Sequence, residues 1–124
     1  MDYETFAGLV ADALDSLPQE FIDRLENVEV LIEDWPSRED LEEVGMDRRQ
    51  KSSLLGLYHG VPLTHRGVFY SSLPDTITIY QKPIERAAAE DEQRIREQVR
   101  HTVIHEFAHY YGISDERLEE LDAY

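Results

Sequence analysis

The sequence has 124 residues, 41% of them apolar and 31% charged. That balance suits one small globular domain with a modest core and excludes a disordered chain. Acidic residues outnumber basic ones by 27 to 12, a formal charge of −15, so the surrounding field repels nucleic-acid phosphates and anionic membranes and draws cations.

There is no cysteine, which removes disulfides and thiolate ligands and leaves imidazole and carboxylate as the donors for any metal site. The opening MDYETFAGLVADALDSLP is acidic where a secretory leader needs basic residues, and no segment approaches the roughly 20 apolar residues that span a bilayer. Cytoplasmic residence is the expectation. Phe6, Leu9, Val10, Ala13, Leu14 and Leu17 form one stripe at helical spacing, and Pro18 ends it. A shorter helical piece follows over Glu20 to Leu25. VEVLIEDW (28–35) begins with apolar and acidic residues in alternation, which predicts a strand with one buried face and places Trp35 in the core.

Ser37 is a fitting cap for a short helix over Arg38 to Val44. LLGLYHGVPL (54–63) predicts an apolar strand, a turn at His59-Gly60 and a second extended stretch from Val61. TITIYQK (76–82), rich in β-branched residues, predicts a strand that Pro83 ends. Glu85 to Glu97, with interspersed arginines, reads as a solvated helical face. From about Glu90 to Tyr111 there is neither proline nor glycine, so one long helix is expected, closed by Gly112. Ser114 then caps a last short helix through Leu118 and Leu121. The fold class is α+β: an N-terminal helix, a small mixed β-sheet of about three to four strands, a long central helix and a short C-terminal one.

The long helix carries the chemistry. At about 100° per residue, Ile95, Val99, Val103, Ile104, Phe107 and Tyr111 share one arc, while His105 and His109 fall roughly opposite. The two histidines are one turn apart on a common face, as two ligands of a single ion require. Glu106 flanks them and can take a proton from a water at the ion. Gly112 and Asp115 extend the pattern to H-E-x-x-H-x-x-G-x-x-D. Glycine lets the chain leave the helix sharply, which would swing Asp115 back toward the metal. Asp115 also has a plain reading, as a favourable carboxylate in the first turn of the last helix. His101, one turn before His105, either supports the site from outside or is exposed, with exposure expected. Tyr58, His59 and Tyr124 are candidate transition-state donors.

At these residues the chain resembles the small, acidic bacterial zincin-like metallopeptidases, the minimal zincins. The likeness extends over LLGLYHGVPL, LPDTITIYQKPIE and HTVIHEFAHYYGISDERL. It implies one zincin-like domain over 1–124, Zn2+ as cofactor, His105, His109 and Asp115 as metal ligands, and Glu106 as general base. Metzincins add a methionine turn after the motif, whereas the methionines here are Met1 and Met46, and Asp stands where His is commoner. The expected activity is zinc-dependent hydrolysis of peptide bonds in a shallow cleft. The expected substrate is a small peptide or unstructured protein segment, laid along an edge strand formed by TITIYQK or by 54–59. No nucleic-acid or membrane partner is expected. The alternative is a non-catalytic metal-binding or protein-interaction module on a zincin scaffold.

Overall fold

The protein's structure is a computed structural model that describes residues 1–60, 75–111, 116 and 119. Asp2 opens the first helix, α1 (Tyr3–Asp15), by accepting from the Thr5 amide at 2.7 Å, one of the orphan donors that every helix start leaves. The stripe read from the sequence is the buried face: Phe6, Leu9, Val10 and Ala13. Past Pro18 comes α2 (Gln19–Arg24), which buries Phe21.

Strand β1 (Val28–Glu33) alternates half-buried and exposed residues, as its sequence predicts. It stops before Trp35, which is not in the core: its side chain is 37% exposed, with the Lys51 ammonium 4.7 Å from the ring centroid. That cation over the ring face stands in for apolar packing. Pro36 follows directly and holds the chain out of the ladder. Ser37 does cap α3 (Arg38–Glu43), in a reciprocal box with Asp40. A 3-10 turn over Arg48–Ser53, capped by Asp47, then leads to β2 (Gly56–His59).

The expected strand over TITIYQK divides in two. Residues Asp75–Tyr80 form β3, and Gln81–Ala87 form a helix, α4. Pro83 does not end the strand; it sits in the first turn of α4, where a missing N–H costs nothing. Ala89 and Glu90 take positive φ values of 51° and 59° and separate α4 from α5 (Glu92–Tyr111). The long helix therefore begins two residues later than expected, where the Asp91 carboxylate accepts from the Arg94 amide at 3.1 Å. Glu85, expected in solvent, is only 4% exposed. Its carboxylate accepts from Gln81 at 2.8 Å and faces the Lys82 ammonium at 3.7 Å and the Met1 ammonium at 3.6 Å. Burial is tolerated because both oxygens are paired.

The sheet has the order β1-β3-β2. β1 runs parallel to β3, from Val28 opposite Asp75 to Glu33 opposite Tyr80, and β2 runs antiparallel, from Gly56 opposite Ile79 to His59 opposite Thr76. This is the mixed sheet anticipated. TITIYQK is its centre, however, and not an edge strand; among the described residues β2 is an edge. On one face Ile77 and Ile79 meet α1 and α5 in the main core, and on the other Tyr80 and Leu57 join Leu41 and Leu54 in a smaller cluster. The stretch expected to be extended from Val61, and most of the last short helix, lie outside the described residues; Glu116 and Glu119 are helical and exposed. Among the described residues no helix is long and apolar enough to cross a membrane.

Candidate metal centre

Helix α5 is fixed by the face that carries no chemistry. Ile95, Val99, Val103, Ile104, Phe107 and Ala108 are each at most 1% exposed. Phe107 meets Phe21 edge to face, centroids 5.6 Å apart, a favoured aromatic geometry. The helix also comes very close to β2. A Cβ placed on Gly56 would lie 2.6 Å from Thr102 Cγ2 and 3.1 Å from the Thr78 carbonyl oxygen. Only glycine fits between the strand and the helix there.

That close approach sets where Glu106 stands. Leu55 O accepts from Tyr80 N at 3.0 Å, and antiparallel pairing alternates inward and outward main-chain groups. Leu57 and His59 therefore face β3, and the Tyr58 amide faces away. Glu106 Oε2 accepts from that outward amide at 3.3 Å. The half-buried carboxylate of the motif is thereby tied to a main-chain donor on the edge of the sheet. The Tyr58 side chain packs against the main core, and its hydroxyl donates to Asp75 Oδ2 at 2.9 Å; Asp75 is 7% exposed.

His105 is half-buried, outside the main apolar stripe. Its ring lies 5.7 Å from that of His101, with the two planes 19° apart. His101 is thus half-buried and stacked, not exposed as expected. The helix is continuous through Tyr111, so position 109 follows position 105 by one turn on the same side. The side chain of His109 lies outside the described residues, as do Asp115 and Tyr124. Among the described residues no three histidine, aspartate or glutamate side chains form a metal-holding group.

Of the candidate donors, His59 is engaged by α3, with Nε2 2.9 Å from Glu43 Oε2 and 3.8 Å from Asp40 Oδ1. Tyr58 contributes its main chain to Glu106 and its hydroxyl to Asp75. Asp75 and Gly56 are the residues that sequence reasoning missed. An aspartate and a glycine are both depleted in strands, and that oddity was the available signal.

The donor chemistry fits a zinc-type ion. It offers a half-buried imidazole on α5, a second histidine position one turn on, and a carboxylate flanking that face that accepts from the Tyr58 amide. A family model described as zincin-like metallopeptidase matches residues 25–124. No curated protein matches the chain.

Proposed function

The chain belongs to the zincin-like metallopeptidase family, and on that premise we propose that it is a zinc-dependent hydrolase of peptide bonds. The observation that supports this most is the placement of Glu106, half-buried beside His105 and held by the Tyr58 amide. A carboxylate so restrained is pre-oriented for proton transfer. When bound, zinc supplies a Lewis acid for the carbonyl and a water reactive at neutral pH.

His105, His109 and Asp115 would hold the ion, the histidines through neutral imidazole nitrogens. Glu106 takes the proton from the attacking water. The substrate class is an extended peptide or unstructured segment. It would lie along β2, an edge of the sheet among the described residues, with the outward Tyr58 amide left to Glu106.

Elemental analysis of zinc-supplemented protein is expected to find about one zinc per chain, with affinity falling as pH drops and protons compete for the imidazoles. A peptide library should then be cleaved, with chelator abolishing cleavage. Glu106→Gln should keep the zinc and lose roughly 10²–10⁴ in turnover, the usual cost of removing a general base. Absence of zinc binding defeats the proposal outright. Zinc without cleavage in the library leaves the non-catalytic metal-binding module in its place.

A further inference from the structure

Trp35 is the chain's single tryptophan. It is 37% exposed, whereas Phe6, Phe21, Tyr80 and Phe107 are each at most 1% exposed. With Pro36, Arg38, Leu41, Arg48 and Lys51 it lines a depression of about 440 Å³. We propose that this depression docks a short acidic segment of a partner protein, an apolar side chain flanked by carboxylates. The proposal goes beyond the metal chemistry of α5 and does not depend on it.

The floor is apolar and the rim is basic. Trp35, Pro36 and Leu41 form the floor, and Leu41 is anchored below in the small cluster with Leu54, Leu57 and Tyr80. Arg38, Arg48 and Lys51 form the rim, and no acidic residue lines the depression among the described residues. Sequence alone hides this, because residues 38–51 mix four basic with five acidic side chains. The fold sorts them. Glu39, Asp40, Glu42 and Glu43 line a separate depression with His59. Arg38 donates through Nε to Glu42 at 3.1 Å, and Arg49 faces Asp47 at 3.2 Å. Arg48 and Lys51 have no carboxylate partner among the described residues, although the chain holds 27 acidic residues. Lys51 lies over the Trp35 ring instead. An exposed tryptophan beside arginine is the side-chain pairing that most often anchors a protein interface.

Charge complementarity selects the occupant. The net charge of −15 repels anions at long range, but at physiological salt that field is largely screened beyond about 8 Å. A short segment seated in the depression therefore feels the three cations of the rim. A long polyanion would run on over the carboxylates of α3, which disfavours nucleic acid. The apolar floor calls for a side chain to bury, which a peptide supplies along with its carboxylates.

The test uses the metal-free full chain, held in chelator, so it is blind to the fate of the peptidase reading. The probes are three decapeptides with leucine, phenylalanine or methionine at the centre, flanked by aspartate and glutamate and free of tryptophan. Calorimetry gives affinity, and the emission of Trp35 reports on the floor itself. At least one peptide should bind, moving Trp35 emission to shorter wavelength. Serine in place of the acidic flanks should weaken that binding by at least about tenfold, equivalent to about 1.4 kcal/mol. Arg48→Ala and Lys51→Ala should each weaken it by at least about fivefold, the scale of a truncated anchor. Both side chains are exposed; circular dichroism checks the fold, and Arg48→Gln serves where Arg48→Ala does not fold. Binding of none of the three peptides would overturn the proposal, as would equal binding of the serine-flanked versions or unchanged affinity in both variants. Tighter binding of an oligothymidylate than of any peptide would make nucleic acid the occupant and overturn it too. So would a dimer in sedimentation that Arg48→Ala dissociates, since the depression would then hold a second copy of the chain.

Discussion

At the scale of single residues, Asp115 divides a ligand from a helix cap. Either role makes Asp115→Ala somewhat destabilising, because a carboxylate in a first turn contributes about 0.3–1 kcal/mol by itself. Metal affinity separates the roles. A ligand's loss should lower zinc affinity by at least about 10–100-fold, and Asp115→His should restore much of it, since imidazole is a competent zinc donor. Equal zinc binding in all three proteins would make Asp115 a cap. Tyr80 offers a prediction in pH. Its side chain is fully buried, and its hydroxyl donates to Asp40 Oδ2 at 2.7 Å. Burial first, and then the Asp40 carboxylate, with Glu33 and Glu43 adding to its charge, push the phenol well above its ordinary value near 10. Folded Tyr80 therefore keeps a proton that the unfolded chain releases. Its contribution to stability is complete below about pH 10 and declines as pH rises beyond that. Urea unfolding from about pH 8.5 to 11 should show this decline, and Tyr80→Phe should make it shallower. An unchanged slope in Tyr80→Phe would assign the alkaline loss to other groups.

At the scale of elements, the crossing of α5 over β2 turns on Gly56. Gly56→Ala forces a methyl against Thr102 Cγ2 and the Thr78 carbonyl, and such overpacking costs about 1–3 kcal/mol. Thermal unfolding should show the loss. Thr102→Ser, which removes the offending methyl, should recover part of it in the double variant; strict additivity of the two substitutions would mean that the contact is not the cause. The elements legible in the sequence are those whose signals are local. The stripe of α1, the Ser37 cap and the unbroken run into Tyr111 each depend on residues a few positions apart. What was missed depends on distant partners. The helix α4 was hidden because β-branched residues run up to Tyr80 and Pro83 reads as a stop. Gln81 turns helical in a setting where its amide reaches Met1 O at 2.9 Å and the Glu85 carboxylate. The candidate site divides the same way. His105, Glu106 and His109 are marked by helical spacing alone, whereas the hold of Tyr58 on Glu106 spans 48 positions and leaves no local trace.

At the scale of the whole molecule, the charge of −15 is spread over a small surface with few cations to offset it. Several ion pairs are local, such as Arg24 with Glu20 and Arg38 with Glu42 on single helices, and exposed pairs of this kind contribute little. Self-repulsion of like charges therefore opposes the compact state. Salt should relieve it, since the screening length shrinks from about 10 Å at 0.1 M to about 3 Å at 1 M. The unfolding temperature of the metal-free protein, held in chelator, should rise with sodium chloride; a flat or falling curve would locate the net charge where it does no harm. The parallel pairing of β1 with β3 has a different consequence, for the time course of folding. Parallel neighbours cannot be joined by a tight turn, so β1 cannot pair with β3, its neighbour among the described residues, until β3 is available and the intervening chain has closed a long loop. The entropy of that closure is spent before any contact rewards it. On a ribosome β1 waits with an unpaired edge, the kind of surface that recruits strands from other chains. Its acidic residues, Glu29 and Glu33, then serve the nascent chain as guards against aggregation.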